Sequence, residues 1–495
     1  MVRLIAAIIC AIFILTLFRL NRQKDIRTSA ALWLPTFWLF IGTSRNIAEW
    51  FHYSSEAGAD RYLEGNPLDR AILSSVIALG IVVLISRGAQ VLTLLRSNLP
   101  ILAYFLFCAS SALWSDFPDV SFKRWFRATG DVVMILIVLS DPDWVAAFKR
   151  LLSRVGLLVI PLSALFIRYF PELGRSYSRG GAPSWTGVAT DKNALGMLSL
   201  ILGLAALYRF LEMYTGKEGL RKRGPLFAQG TLFLLSIYLL LESNSATAAA
   251  CFGLAGGPMV LTYLYPWARR GSTLRLLVAA VILVPFSSMF LGLGTGLVQD
   301  LGRDTSFTGR TAIWHYAIPM VPNVVVGAGF ESFWLGHRIK DMELLINQDV
   351  NQAHNGYIEV YLNLGFIGLL ILAALLITGY RRIIPDVRAQ VQVGSLRLAY
   401  FIVAVAYNFS EGGFKMMSPV WFVFLLAIAV VPKPIVAESR APRLPVRNAK
   451  PLARVPAKVP AFQRFARHIE RIRLSDAYAY INLVSHFTTQ FPKCP

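Results

Sequence analysis

Apolar and polar positions alternate along this chain in long blocks, roughly twenty apolar residues followed by a short polar loop. At 1.5 Å rise per residue, such a run as a helix crosses a hydrocarbon core of about 30 Å, and helices are required because unpaired backbone groups are too costly in lipid. The blocks predict helices near Val2 to Leu20, Ala31 to Thr43, Ala71 to Ser86, Leu99 to Trp114, Ala128 to Leu139, Leu151 to Phe170, Ala194 to Leu211, Leu226 to Leu241, Ala248 to Tyr265 and Leu274 to Leu291. Three more follow at Tyr357 to Thr378, Leu398 to Phe409 and Pro419 to Val431. The expected fold is an all-α polytopic membrane protein of about 12–13 transmembrane helices over residues 1–432. Its single long departure from the pattern is a polar loop at about 297–355, and a tail occupies 433–495.

Loop charge sets the sidedness. Cations gather in every second loop, Arg87 to Arg96, Lys149 to Arg154, Lys217 to Arg223 and Arg269 to Arg275, as the positive-inside rule expects of cytoplasmic segments. The first apolar run lacks a small-residue cleavage site and is followed by Arg19, Arg22, Lys24 and Arg27, so it reads as a retained helix with its N-terminus outside. The long loop, Trp114 to Arg127, Pro171 to Asn193 and Glu242 to Thr247 then all face the exterior, and the tail lies inside. That tail carries twelve Lys or Arg against three acids; Phe462, Phe465, Ile469 and Ile472 recur at helical spacing, predicting a basic amphipathic helix over about 461–474.

Composition agrees with a membrane protein: 55% hydrophobic and 16% charged residues across 495. The net charge of +21 is accounted for by the inner loops and the tail, without a compact basic domain of the kind that binds nucleic acid. Cys10, Cys108, Cys251 and Cys494 are far apart and suggest neither a disulfide framework nor a metal site, and no second histidine stands at ligand spacing from His354, with His315 and His337 isolated. No metal or other cofactor is expected.

The candidate chemistry lies outside. Arg175 and Arg179 sit in an exterior loop against the charge bias, and a guanidinium fork matches phosphate oxygens, although headgroup contact would also account for them. Asp191-Lys192-Asn193 precedes an apolar run as a helix start, with Asp191 or Asn193 as cap and Lys192 adding charge to an N-terminus that favours anions. Arg310 and Trp314, four residues apart, share a helical face, as a cation on an aromatic shelf or as interfacial anchors. His354 suits a general base that removes a hydroxyl proton near neutral pH, with Asn355, Tyr357, Glu359 and Tyr361 close enough in sequence to orient it; a capping role is the alternative.

These residues resemble the O-antigen ligase and polymerase superfamily of bacterial membrane proteins, and within it the exopolysaccharide-polymerising branch. The signature of His, a small polar residue, nine residues, Gly, two residues and Gly is met by His354-Asn355, Gly365 and Gly368. Gly309-Arg310 with Trp314, then Gly327-Ala328-Gly329-Phe330, meet the upstream element. Likeness extends to Ser44-Arg45, Gly65-Asn66-Pro67-Leu68-Asp69-Arg70, Trp114-Ser115-Asp116-Phe117-Pro118, and Trp185-Thr186-Gly187 with Lys192-Asn193-Ala194-Leu195-Gly196, covering about residues 30–430. Asp191 departs from the pattern, where the polymerising branch has histidine.

The resemblance implies a glycosyltransferase of the polytopic, lipid-phosphate-using (GT-C-like) kind, performing metal-independent inverting transfer in the bacterial inner membrane with its active site facing the periplasm. The substrate is an oligosaccharide on undecaprenyl diphosphate, within membrane lipid and beside other polysaccharide-assembly proteins. By the same resemblance His354 is the base, Arg310 with Arg179 or Lys192 stabilises the leaving diphosphate, and Arg175, Asn355, Trp314 and Tyr357 line the substrates. The polymerase joins the chain to another lipid-linked repeat, and Lys192-Asn193 favours it. The alternatives are a ligase acting on lipid A core or protein and, from a different class, a transporter of lipid-linked sugars, which charges inside the helices such as Asp131 and Glu242 would favour.

Overall fold

In the computed structural model the described residues are 1–22, 28–51, 65–177, 183–216, 223–290, 308–346, 350–390 and 393–432, with no side chain described at 282, 284–290, 308 and 309. Arg179 and the whole tail, including the amphipathic segment expected at 461–474, lie outside them.

The elements in order are α1 (Val2–Leu20), α2 (Trp33–Thr43), α3 (Pro67–Ser86), α4 (Gly88–Ser97), α5 (Leu99–Ser110), α6 (Pro118–Leu139) and α7 (Trp144–Tyr169). A two-stranded antiparallel hairpin follows, β1 (Arg175–Tyr177) with β2 (Pro183–Trp185), registered Arg175 to Trp185. Then come α8 (Lys192–Thr215), α9 (Arg223–Glu242), α10 (Ala246–Leu264), α11 (Gly271–Phe290), α12 (Thr308–Ala317), α13 (His337–Ile346), α14 (Gly356–Arg388), α15 (Gly394–Tyr407) and α16 (Pro419–Ile428).

Among the described residues seven helices are long and apolar enough to span a membrane: α1, α3, α7, α8, α9, α10 and α14; α4 and α5, bent by 85°, make an eighth if counted as one broken span. Shorter apolar stretches at Ala30–Thr43, Gly271–Val281, Gly394–Tyr407 and Pro419–Ile428 coincide with the remaining predicted helices. The helix predicted from Ala128 begins ten residues earlier, at Pro118, because Asp119, Lys123, Arg124 and Arg127 occupy its outer turns and interrupt the apolar run without interrupting the helix.

Hydrophobic burial does not drive helix association within lipid, so close packing must. Small residues supply it. A Cβ at Gly196 of α8 would stand 2.7 Å from Ser245 Cβ and 2.9 Å from Ala248 Cβ at the start of α10, and one at Gly130 of α6 would meet the Trp38 ring of α2 at 2.2 Å. Helix α8, 72% buried across its most apolar window, is central; α1, at 6%, is peripheral. Asp131, a charge inside α6, accepts the Trp38 indole N–H at 2.7 Å and the Met417 N–H at 3.0 Å, tying α6 to α2 and to the loop before α16. A pinned, fully paired carboxylate is a structural clamp.

Helices α15 and α16 are buried along their whole length. With 14 residues α15 rises only about 21 Å, short of a bilayer core. The connection between them, 408–418, therefore enters the protein interior.

Candidate active site

The long polar segment before α14 is not an open loop where it is described. It contains α12, a 3-10 turn at Ile318–Met320 and α13, and its stretch 323–329 lies along a break in α14. That break is Gly365, with φ +62° and ψ −161°, a conformation open in practice only to glycine. The broken turn frees backbone groups that the loop then satisfies. Ala328 and Gly329 N–H donate to the Leu362 and Asn363 carbonyls at 3.1 and 2.8 Å, and Phe366 and Ile367 N–H donate to Val324 and Val325 at 3.0 Å each. A Cβ on Gly365 would lie 2.4 Å from Val325 backbone, and one on Gly327 (φ +73°) 2.4 Å from Asn363 backbone. The paired glycines are thus a contact between two backbones, which fixes the loop carrying α12 and His354.

Trp114-Ser115-Asp116 anchors the same loop from α5 and α6. The Trp114 indole donates to the Val326 carbonyl at 3.1 Å, Ser115 and Ser332 hydroxyls meet at 3.0 Å, and Asp116 pairs with Arg338 at 2.6 Å. Arg45 clamps the segment from Pro171 to Asn193 through the Leu173, Gly187 and Ala189 carbonyls. Burial pulls its guanidinium below the ordinary value, and Glu49 offsets part of that.

Three distant segments then meet on one carboxylate, that of Glu411. Arg310 of α12 donates one guanidinium nitrogen to Glu411 Oε1 at 2.9 Å and another to the Ser410 carbonyl. Asn193 at the start of α8 donates to Glu411 Oε1 at 3.2 Å, and His354 Nδ1 lies 3.3 Å from Glu411 Oε2. The Glu411 side chain is 8% exposed and that of His354 32%. An ionised carboxylate only accepts, so a neutral His354 facing Glu411 donates from Nδ1 and leaves Nε2 its lone pair, the tautomer a base requires. His354 itself is held at φ +50°, a strained backbone for a non-glycine residue, immediately before the cap of α14.

The loop bearing Glu411 is built for its task. Asn408 Oδ1 accepts Gly413 and Phe414 N–H at 2.7 and 2.9 Å, while Gly356 N–H donates to the Asn408 and Glu411 carbonyls at 2.9 and 3.1 Å. A Cβ on Gly356 would fall 1.8 Å from Asn408 Oδ1. The first turn of α14 and the Glu411 loop are therefore in direct backbone contact, which sets the His354 to Glu411 distance.

The other predicted residues divide. Asn355 caps α14, accepting Tyr357 and Ile358 N–H at 3.0 Å each, and donates to the Phe409 carbonyl. Tyr357 gives its hydroxyl proton to the Val405 carbonyl at 3.0 Å, and Glu359 accepts from Trp334 and Ala353, so neither orients the His354 ring as the sequence suggested. Trp314 shares the Arg310 side of α12 as spacing predicted, but it is no aromatic shelf for that cation: its indole donates to the Ala353 carbonyl at 2.7 Å, bracing the residue before His354. Asp191 caps α8, leaving Lys192 exposed at its first turn. Lys192 lines a cavity with Trp185 and Glu242, one residue from the Asn193 that reaches Glu411. Arg175 stacks over Trp185 at 4.4 Å and donates twice to the Ile167 carbonyl at the end of α7, away from the cluster.

Residues 231–373 match the O-antigen ligase family. The chain is also 28% identical over 299 residues to the "Exopolysaccharide production protein ExoQ" of Rhizobium meliloti (strain 1021), an alignment covering 57% of this chain and 65% of that protein's length. Over residues 231–373 the chain is similar to the O-antigen ligase family. The O-antigen ligase match contains Arg310, Trp314, His354 and both glycines of the α14 break, and it ends before Glu411. Glu411 was not singled out from sequence. Its one signal there is that it is the lone acid in a connection between two apolar segments.

Proposed function

We propose that the protein polymerises lipid-linked oligosaccharide repeats into exopolysaccharide or O-antigen at the outer face of the bacterial inner membrane. The observation that carries this reading is the convergence of Arg310, His354 and Asn193 on the buried Glu411 carboxylate. A base, a fixed orienter and a cation stand together, as a transfer that deprotonates a hydroxyl and expels a phosphate requires.

In the proposed reaction an acceptor sugar hydroxyl attacks the anomeric carbon of a donor glycan on undecaprenyl diphosphate. His354 Nε2 takes the hydroxyl proton as the new C–O bond forms and the anomeric C–O bond to phosphate breaks, with inversion. Undecaprenyl diphosphate leaves with the bonding pair, one negative charge richer. Glu411 stabilises the imidazolium, as a carboxylate behind a histidine does. Arg310 and Lys192, with the N-terminus of α8, meet the charge developing on the diphosphate in a scheme whose electrostatic work falls to the chain's own cations. The imidazolium then returns its proton to solvent or to the leaving phosphate.

The proposal is tested by His354→Ala in cells. Polymer is lost while single lipid-linked repeats accumulate; polymer of wild-type length from that variant would overturn the assignment. The likeness to an O-antigen ligase family keeps transfer to lipid A core as a second reading. The two readings differ in acceptor, not in the roles of His354 and Arg310.

A further inference from the structure

A cavity of about 670 Å³ opens between α3 and the first turns of α6, lined also by Glu331, Lys415 and Met416. Its wall carries five cations, Arg70, Lys123, Arg124, Arg127 and Lys415, against a single carboxylate, Glu331. Arg124 is engaged with the Glu331 carbonyl. Lys123, Arg127 and Lys415 make no hydrogen bond or ion pair among the described residues, and Arg127 is half-buried. Burial disfavours the Arg127 charge, the neighbouring Arg124 and Arg70 repel it and Asp69 offsets only part of that, so a bound polyanion relieves the cation cluster. These cations belong to segments whose loop charge puts them outside, where the positive-inside rule does not call for them.

Apart from Asn46 and Ser74, the rest of the wall is apolar. Arg70, Leu73 and Ile77 lie along one face of α3, and Phe122 and Phe126, 54% and 38% exposed, stand one turn apart on α6 beside Lys123 and Arg127. Toward the inner leaflet, Leu79, Val82 and Ile85 keep α3 apolar and exposed. A charged mouth leading onto a lipid-facing wall suits a headgroup that bears an aliphatic tail; free diphosphate would need only the mouth.

A second cavity of about 220 Å³ shares Glu331 and Lys415 with the first. Trp334, Asn351, Gln352, Glu359 and Asn363 line it, an indole with amides and a carboxylate, the side chains that stack on sugar faces and hydrogen-bond their hydroxyls. Gly412, next to Glu411, forms part of its wall, and Gln352 is two residues before His354.

The geometry points to a second diphosphate-lipid site: the cavity of Lys123, Arg127 and Lys415 binds the polyprenyl diphosphate of the acceptor repeat, whose sugars extend through the adjoining cavity toward His354. This rests on the polymerase reading and deepens it, since polymerisation needs two lipid-linked chains held at once. The donor diphosphate stays with Arg310 and Lys192.

The test counts sugar-free undecaprenyl diphosphate bound to the full-length protein in neutral-lipid nanodiscs, by native mass spectrometry, which requires no turnover. Two molecules bind per chain. Lys123→Gln with Arg127→Gln weakens one at least tenfold and leaves the other, Lys415→Gln acts in the same direction, and Arg310→Gln weakens the other. Inorganic diphosphate and phosphatidylglycerol compete poorly. A single molecule per chain, two molecules retained in the Lys123/Arg127 double variant, or equal displacement by phosphatidylglycerol or inorganic diphosphate would each overturn the second site. A chain that elongates lipid-linked repeats while binding one diphosphate lipid would overturn it without touching the glycosyl-transfer reading.

Discussion

Glu411 acts through its neighbours. Its carboxylate sets the His354 tautomer and neutralises Arg310, so its removal has two separable effects. Glu411→Gln keeps the side chain's shape and loses its charge; kcat should fall by about 10²–10⁴-fold while the KM for donor changes far less, because the imidazolium forms only as the hydroxyl is deprotonated. Unchanged kcat in that variant would mean that the 3.3 Å contact to His354 has no part in the chemistry. Arg310→Lys tests the fork. Lysine keeps the charge but cannot reach the Ser410 carbonyl and Glu411 together in the guanidinium's geometry, so a loss of about tenfold or more in kcat/KM is expected, and full activity would reduce Arg310 to a headgroup anchor. His354 and Arg310 were legible as candidates in sequence because a motif carried them. Glu411 was not, because a lone acid has no spacing; its significance comes from three segments converging, and Arg310 and Asn193 are 101 and 218 residues away.

At the scale of elements, apolar run length made the spanning helices legible, and the ends were misjudged where charged side chains occupy helical turns, as at Pro118 to Arg127. The hairpin from Arg175 to Trp185 had no alternating pattern long enough to announce it. The break in α14 is the element on which the site depends most. Gly365 lies at a φ and ψ that cost an L-residue about 1–3 kcal/mol, and a methyl group there would press on Val325 backbone at 2.4 Å. Gly365→Ala should therefore lower the thermal unfolding midpoint in detergent and lose activity with it, whereas Gly257→Ala in α10, where a Cβ meets nothing within 4 Å, should do neither. Equal midpoints for the two variants would show that the loop at 323–329 is not held by that backbone contact.

At the scale of the whole molecule, alternating basic loops and one long polar segment describe a helical bundle with its candidate site at one end. Loop charge predicts a sidedness for it; the packing that turns α15 and α16 into a buried pair, and brings 408–418 against α14, belongs to side-chain complementarity that periodicity does not encode. The central claim is that this bundle elongates lipid-linked glycans by itself, with His354 as base. Purified protein incubated with a single defined repeat on undecaprenyl diphosphate tests it most directly. A ladder of longer lipid-linked glycans is expected, with one undecaprenyl diphosphate released per bond formed and none from His354→Ala; a wild-type protein that leaves the repeat unchanged until lipid A core is added would refute the polymerase reading.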